Sequence, residues 1–304
     1  MKKRQSIISI MLFFLVIATF SACKNNEDEP NIDSYEAWLQ YALYYRDVVV
    51  DGMAFNISDG QASLVEVYDR ISGDIKIPAE VYYEGTGKSY PVTSVSFDVS
   101  PIYSNVISLS IPNTVKALFL YGIETSTLSI PSSVETLEIS GCANLEKLNL
   151  TTGQIHVEIK ECTKLAALDL PETITYLILA NIPITELALP LGIEQFGLYC
   201  ESLEKISNLE RTKIKTLGFN AFTNCKSLKE IYLPPTLETI YTGCCEGCYA
   251  LTKVHCLAPI PPELKESHHA IAFQKEDNLY VPKGTATLYK GVYPWNMFKE
   301  IIEE

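Results

Sequence analysis

The chain has 304 residues, 47% of them hydrophobic, and a formal net charge of −13. That length and apolar content allow a sizeable core in one elongated domain. So acidic a balance argues against a nucleic-acid partner and does not favour anionic membrane surfaces.

Taken in order, residues 1–22 read as a secretory signal, with Lys2, Lys3 and Arg4 ahead of an apolar run over 7–20. The run is too short for a transmembrane helix. Phe20-Ser21-Ala22-Cys23 resembles a bacterial lipobox, with Phe20 where leucine is more usual. The resemblance implies that Cys23 is lipidated and that the membrane is reached through this N-terminal lipid only. Removal of the signal takes away three positive charges and leaves −16. Residues 24–30 are polar and acidic and serve as a tether. They resemble the acidic export signal of surface lipoproteins in Bacteroides-like bacteria. An outer-membrane lipoprotein exposed on the cell surface is therefore expected.

Residues 23–45 are predicted to hold this tether and a short helix over 35–46, whose apolar positions include Trp38, Tyr41 and Ala42. Residues 46–104 read as a β-rich N-terminal cap. Stranded runs fall at 48–55, 64–68, 75–77, 81–83 and 92–97, with turns at Ser58-Asp59-Gly60 and Gly85-Thr86-Gly87-Lys88. Such hairpins suit the open end of a repeat array. Gly87-Lys88-Ser89 echoes the end of a phosphate-binding loop, but Tyr82 replaces its first glycine and no apolar helix follows. A hairpin turn is the better reading.

Residues 105–260 carry a tandem repeat with a period of about 20 residues. One half reads Leu-x-x-Leu-x-Leu-Pro, as in Leu165-x-x-Leu168-x-Leu170-Pro171 and Leu228-x-x-Ile231-x-Leu233-Pro234. The other reads Val-x-x-Leu-x-Leu, as in Val134-x-x-Leu137-x-Ile139 and Ile174-x-x-Leu177-x-Leu179. Apolar residues two apart point to one face of a short strand. One repeat cannot bury its own row, so neighbours must stack into a solenoid. Prolines stop the strands and turn the chain. Residues 261–304 then read as a small C-terminal α+β cap: a strand at 279–281, a short helix at Leu288-Tyr289 and a final strand.

The segment Leu217-Gly218-Phe219-Asn220-Ala221-Phe222-Thr223-Asn224-Cys225, continued by Leu228, Ile231, Leu233 and Pro234, resembles the repeat of BspA-like leucine-rich-repeat proteins. The next unit places Cys244 and Cys245 where Ala-Phe would stand, and earlier units lack that segment. The fold class expected is mainly β: a leucine-rich-repeat solenoid of short stacked strands, capped at both ends. The resemblance implies a surface protein and leaves its ligand open.

Eight cysteines remain after Cys23, and an exported chain has the option of disulfides. Cys142, Cys162, Cys225 and Cys248, however, share one inward repeat position. Buried free thiols are favoured over a disulfide set, and over a zinc site at Cys244, Cys245, Cys248, His255 and Cys256. His268-His269 beside Glu263 and Glu266 reads as a surface loop. No metal and no cofactor is expected.

The outward strand positions form two columns: Ala117, Thr136, His156, Tyr176, Gln195, and Phe119, Glu138, Glu158, Ile178, Gly197. Glu138 and Glu158 are expected about 5 Å apart, a spacing shared with retaining glycosidases. Those enzymes surround their carboxylates with a pocket, whereas a solenoid face is shallow. Phe119, Tyr176 and Ile178 are expected to expose apolar area beside Glu138, His156 and Glu158, which together form the candidate ligand-binding set. The function expected is non-catalytic recognition or adhesion, toward an unknown protein or glycan ligand. The alternative is a glycan-capture accessory lipoprotein of a polysaccharide-uptake system. A hydrolase using the paired carboxylates ranks below both.

Overall fold

A computed structural model describes residues 35–68, 70–99, 105–265, 273 and 277–304. The secretory signal, Cys23, the tether and His268-His269 lie outside the described residues. The chain divides into units 1–41 and 42–304, with helix α1 (Tyr35–Tyr45) beginning in the first.

The second unit opens with β1 (Val48–Val50), β2 (Met53–Ser58) and β3 (Gln61–Val67), an antiparallel meander. The run over 48–55, expected to be one strand, is broken by Asp51-Gly52, whose φ angles are 49° and 75°. Asp-Gly is the dipeptide that a tight hairpin turn prefers, because both central residues need positive φ. There follow β4 (Ser72–Lys76), β5 (Glu80–Tyr83), β6 (Lys88–Asp98) and β7 (Asn105–Ser110). The β5–β6 pair is an antiparallel hairpin over the Gly85–Lys88 turn.

From there two rows of parallel strands alternate along the chain. The first row contains β8 (Ala117–Tyr121), then β9 (Thr127–Ser129) falls in the second, and so on: β10 (Thr136–Ser140), β11 (Lys147–Asn149), β12 (His156–Lys160), β13 (Tyr176–Ala180), β14 (Glu186–Ala188), β15 (Gln195–Tyr199), β16 (Lys205–Ser207). The series ends with β17 (Thr216–Leu217), β18 (Glu230–Leu233), β19 (Thr239–Tyr241), β20 (Lys253–Cys256), β21 (Glu263–Lys265), β22 (Asn278–Val281), α2 (Ala286–Lys290) and β23 (Glu300–Glu303). The long sheet runs β1-β2-β3-β6-β8-β10-β12-β13-β15. Beyond it the first row resumes as β17-β19-β21, and the second row closes with β18-β20-β22-β23. Parallel stacking thus reaches back to the β4–β7 and β6–β8 pairs and forward to the terminal strand. Residues 165–170 form no ladder, which divides the second row into β9–β11 and β14–β16.

The core between the rows is the set of leucine, isoleucine and valine positions read from the repeat. Leu118, Leu137, Val157, Leu177 and Leu198 are all fully buried. Each such side chain contributes roughly 1.5–3 kcal/mol relative to exposure. First-row strands are followed by a left-handed residue: Gly122, Gly141, Glu161 and Asn181, with φ from 53° to 68°. That turn aims the next side chain inward, which is why Ile123, Cys142, Cys162 and Ile182 are buried one after another. Cys200, Cys225 and Cys248 continue the column. The eight cysteines from Cys142 to Cys256 are buried free thiols.

One buried polar group replaces an apolar repeat position. Gln154 stands where Val134 and Ile174 stand in neighbouring repeats. Its amide donates to the Pro131 and Val134 carbonyls at 3.0 and 3.1 Å and accepts from the Thr151 N–H at 2.7 Å. Thr151 stands where the neighbouring repeats have Pro131 and Pro171, and Gln154 accepts the backbone N–H that proline lacks.

Candidate functional site

Ladder register fixes the outward face of the long sheet. Glu138 stands opposite Phe119 on β8 and Glu158 on β12, and His156 stands opposite Tyr176 on β13. The two expected columns are therefore real columns. A third, formed by Tyr121, Ser140, Lys160, Ala180 and Tyr199, lies beside them. Each first-row strand here has five residues and so offers three outward positions; the Leu-x-Leu pattern marks only the inward ones.

Lys160 lies between the paired carboxylates, with Nζ 2.5 Å from Glu158 Oε2 and 3.6 Å from Glu138 Oε1. The Tyr121 hydroxyl donates to Glu138. Burial first, then the charge of Glu138, pushes that hydroxyl well above the usual tyrosine range. On the other side, His156 Nε2 is 3.0 Å from Glu158 Oε1. The His156 hydrogen bond is the largest cause holding Glu158 down at about 2; burial opposes it and Lys160 adds to it. Burial works against the Lys160 charge, yet its bonds to Glu158 and Glu138 raise its pKa. The His156 ring in turn stacks on Tyr176, with centroids 4.0 Å apart and planes 11° from parallel. A continuous chain of contacts thus runs Tyr121–Glu138–Lys160–Glu158–His156–Tyr176 across four adjacent strands.

Phe119 corrects an expectation. It occupies its outward column but is only 8% exposed, so it offers no apolar platform. Tyr176 and Ile178 are half-buried on the same face. Ile178 leans over Gly197: a Cβ added at that glycine would meet Ile178 Cδ1 at 2.9 Å. Beside them lies a cleft of about 710 Å³, bounded by Tyr176, Ile178, Gln195 and Gly197 on one side and by residues 213–220 on the other. A second hollow of about 520 Å³ adjoins Ile178 and is lined by Glu158, Lys160 and Tyr199. Sequence reasoning missed Lys160, Tyr121 and Tyr199; carrying the two-residue alternation one step further along each strand would have found them.

On the second row, His255 is buried between Tyr232 and Tyr280, with centroids 4.1 and 4.3 Å away. Its Nε2 faces Glu230 at 2.9 Å and its Nδ1 faces Glu304 at 2.8 Å. The histidine weighed for a zinc site with the cysteines is thus engaged by carboxylates on both nitrogens. No group of three or more His, Cys, Asp and Glu residues fit to hold a metal occurs among the described residues.

Residues 161–279 match the BspA type leucine rich repeat region, in six copies. The chain carries BspA-type leucine-rich repeats over residues 161–279. The matched stretch takes in trimmed repeats as well as the Ala221-Phe222-Thr223-Asn224-Cys225 motif. Among solved structures, a leucine-rich repeat protein from Bacteroides ovatus ATCC 8483 is 15% identical over 85% of this chain and 100% of its own, at a TM-score of 0.26. The pneumococcal vaccine antigen PcpA is 14% identical over 84% of this chain and 98% of its own, at 0.29. A leucine-rich repeat protein from Bacteroides capillosus ATCC 29799 is 19% identical over 52% and 95%, at 0.25. No curated protein matches the sequence.

Proposed function

We propose that this BspA-like protein is a non-catalytic recognition protein, anchored at the outer membrane through lipid on Cys23 and engaging its ligand with the outward face of the long sheet. The observation that carries this reading is the contact chain from Tyr121 to Tyr176. Side chains on paired strands, already fixed by ion pairs and ring stacking, lose little entropy when a ligand settles on them. The same contacts weigh against hydrolysis by Glu138 and Glu158. A carboxylate pair of that kind needs one member kept protonated near neutral pH. Here Lys160 is ion-paired with both carboxylates and occupies the space between them, where a glycosidic bond would have to lie.

The test is a screen of the purified full chain against glycans and host matrix proteins, repeated with Tyr176→Ala. A Lys147→Ala plus Lys229→Ala pair on the second row serves as control. Loss of binding in the Tyr176 variant alone supports the face; equal affinity in all three forms discards it. For the anchor, Cys23→Ala is expected to release the chain from membranes, and retention of that variant in the membrane fraction refutes lipid anchoring.

A further inference from the structure

The cleft beside Tyr176 is wedge-shaped. At one end the Leu198 N–H donates to the Ala221 carbonyl at 3.1 Å, so β15 and the following segment meet. Toward residues 192–196 and 213–217 they part, since β17 pairs with β19 and not with β15. Gly218-Phe219-Asn220 form the outer wall, and Phe219 is 47% exposed.

We propose that this cleft is a saccharide-binding site, with a sugar ring lying on the face of Tyr176 turned away from His156. The inference rests on the recognition role of this sheet face and names the ligand class. In a ring stack that follows the ladder, one face of Tyr176 is covered by His156, and the opposite face is directed toward Gln195, which lines the cleft. A flat ring face held in a fixed orientation suits the apolar face of a pyranose. Ile178 leans over Gly197 to make an apolar floor, and Leu191 adds apolar surface. Gln195, Thr216 and Asn220 supply uncharged donors and acceptors at the rim, where hydroxyl groups would lie. The volume falls within the range of small-ligand sites. An added peptide strand fits less well, because the edge it needs is closed at Leu198–Ala221. An anionic ligand is disfavoured by the acidic chain: of the lining lysines, Lys215 is paired with Glu238 at 2.7 Å, and Lys213 shares the lining with Glu194.

The experiment is a glycan array probed with the purified full chain, followed by titration calorimetry with the best oligosaccharide. Gly197→Leu displaces Ile178 into the cleft floor without removing a polar side chain, and Tyr176→Ala removes the platform. Gln195→Ala plus Asn220→Ala strips the rim, and it keeps the proposal testable should Gly197→Leu fail to fold. Each is expected to weaken binding by roughly tenfold or more, a difference of about 1.4 kcal/mol, while Lys147→Ala leaves it unchanged. Glycan binding that survives all three variants overturns the cleft as the site. A protein ligand that is lost with Tyr176→Ala, together with an empty glycan array, overturns the saccharide class and leaves the recognition reading standing. An empty result against both glycans and matrix proteins overturns both.

Discussion

Lys160 is the sharpest place to test the electrostatics of the outward face. Lys160→Met keeps the aliphatic stem and removes the charge that lies between Glu138 and Glu158. Both carboxylates bond the same ammonium, so their oxygens lie no more than about 6 Å apart. Two unit charges at about 6 Å repel by ~1–3 kcal/mol for effective dielectric constants between about 80 and 20. The depression of Glu158 from 4.5 to about 2 corresponds to roughly 3 kcal/mol in favour of the ionised form, shared between His156 and Lys160. A destabilisation of ~1–3 kcal/mol at neutral pH is therefore expected, since the His156 bond survives.

The pH dependence is more diagnostic. A depressed carboxyl contributes stability in full above its unfolded pKa of 4.5 and loses it as pH falls through the folded value near 2. The gap between the native chain and Lys160→Met should accordingly shrink as pH drops across that window, because protonation removes both the attraction lost and the repulsion gained. Urea unfolding at a series of pH values measures this as a convergence of midpoints at constant slope. A neutral-pH gap below ~0.5 kcal/mol, or one equally large at both ends of the window, refutes the argument.

The remaining predictions concern the solenoid. Denatured and unreduced, the protein should titrate with eight free thiols among residues 142–256, whereas the native form should react slowly because burial pushes thiols such as Cys200 and Cys256 up to about 11. Gly153→Ala should destabilise by ~2 kcal/mol or more, because its Cβ would fall 1.7 Å from the Ser132 backbone carbonyl oxygen; a native-like melting temperature contradicts this. Leu148→Asp buries a charge on β11, which pairs with β9, at a cost of several kcal/mol. Hydrogen exchange should rise in the neighbouring repeats, and a change confined to one repeat argues against a continuous core.

Much of this was legible in the sequence because the inward positions repeat. Leu118, Leu137, Val157, Leu177 and Phe196 announce both the strand and its neighbours. Once they are aligned, the columns follow, since parallel register carries one residue directly onto the next. What alternation gives is a direction. It places Phe119 outward but says nothing of what lies over it, and the ring is buried. Lys160 escaped for a different reason: strand length sets how many outward residues there are, and the apolar pattern stops at the last inward one. The Asp51-Gly52 turn was readable from its dipeptide alone. Nearness in sequence to cysteines suggests His255 as a metal ligand, whereas Glu230 on β18 and Glu304, just past β23, reach it from parts of the chain distant in sequence.

The cleft follows from a change in repeat type along the chain. In the trimmed repeats a first-row strand passes almost directly into its inward cysteine, as Leu198-Tyr199-Cys200 does. In the full repeats Gly218-Phe219-Asn220-Ala221-Phe222-Thr223-Asn224 intervene between Leu217 and Cys225. The added residues cannot be accommodated within a ladder of fixed 4.8 Å spacing, so β17 shrinks to two residues and the chain bulges into the wall that carries Phe219. Where two full repeats meet, both bulge alike and the ladder closes: Phe222 N–H bonds the Cys244 carbonyl at 2.8 Å and Asn224 N–H bonds the Glu246 carbonyl. Where a trimmed repeat meets a full one, the Leu198 N–H bonds the Ala221 carbonyl and the Ser227 N–H bonds the Glu201 carbonyl, while β17 pairs with β19 and leaves the edge of β15 before Leu198 open to the cleft. The position of the cleft is thus set by the boundary between repeat types, and the boundary falls next to the strand whose Tyr176 is held by the contacts running back to Tyr121.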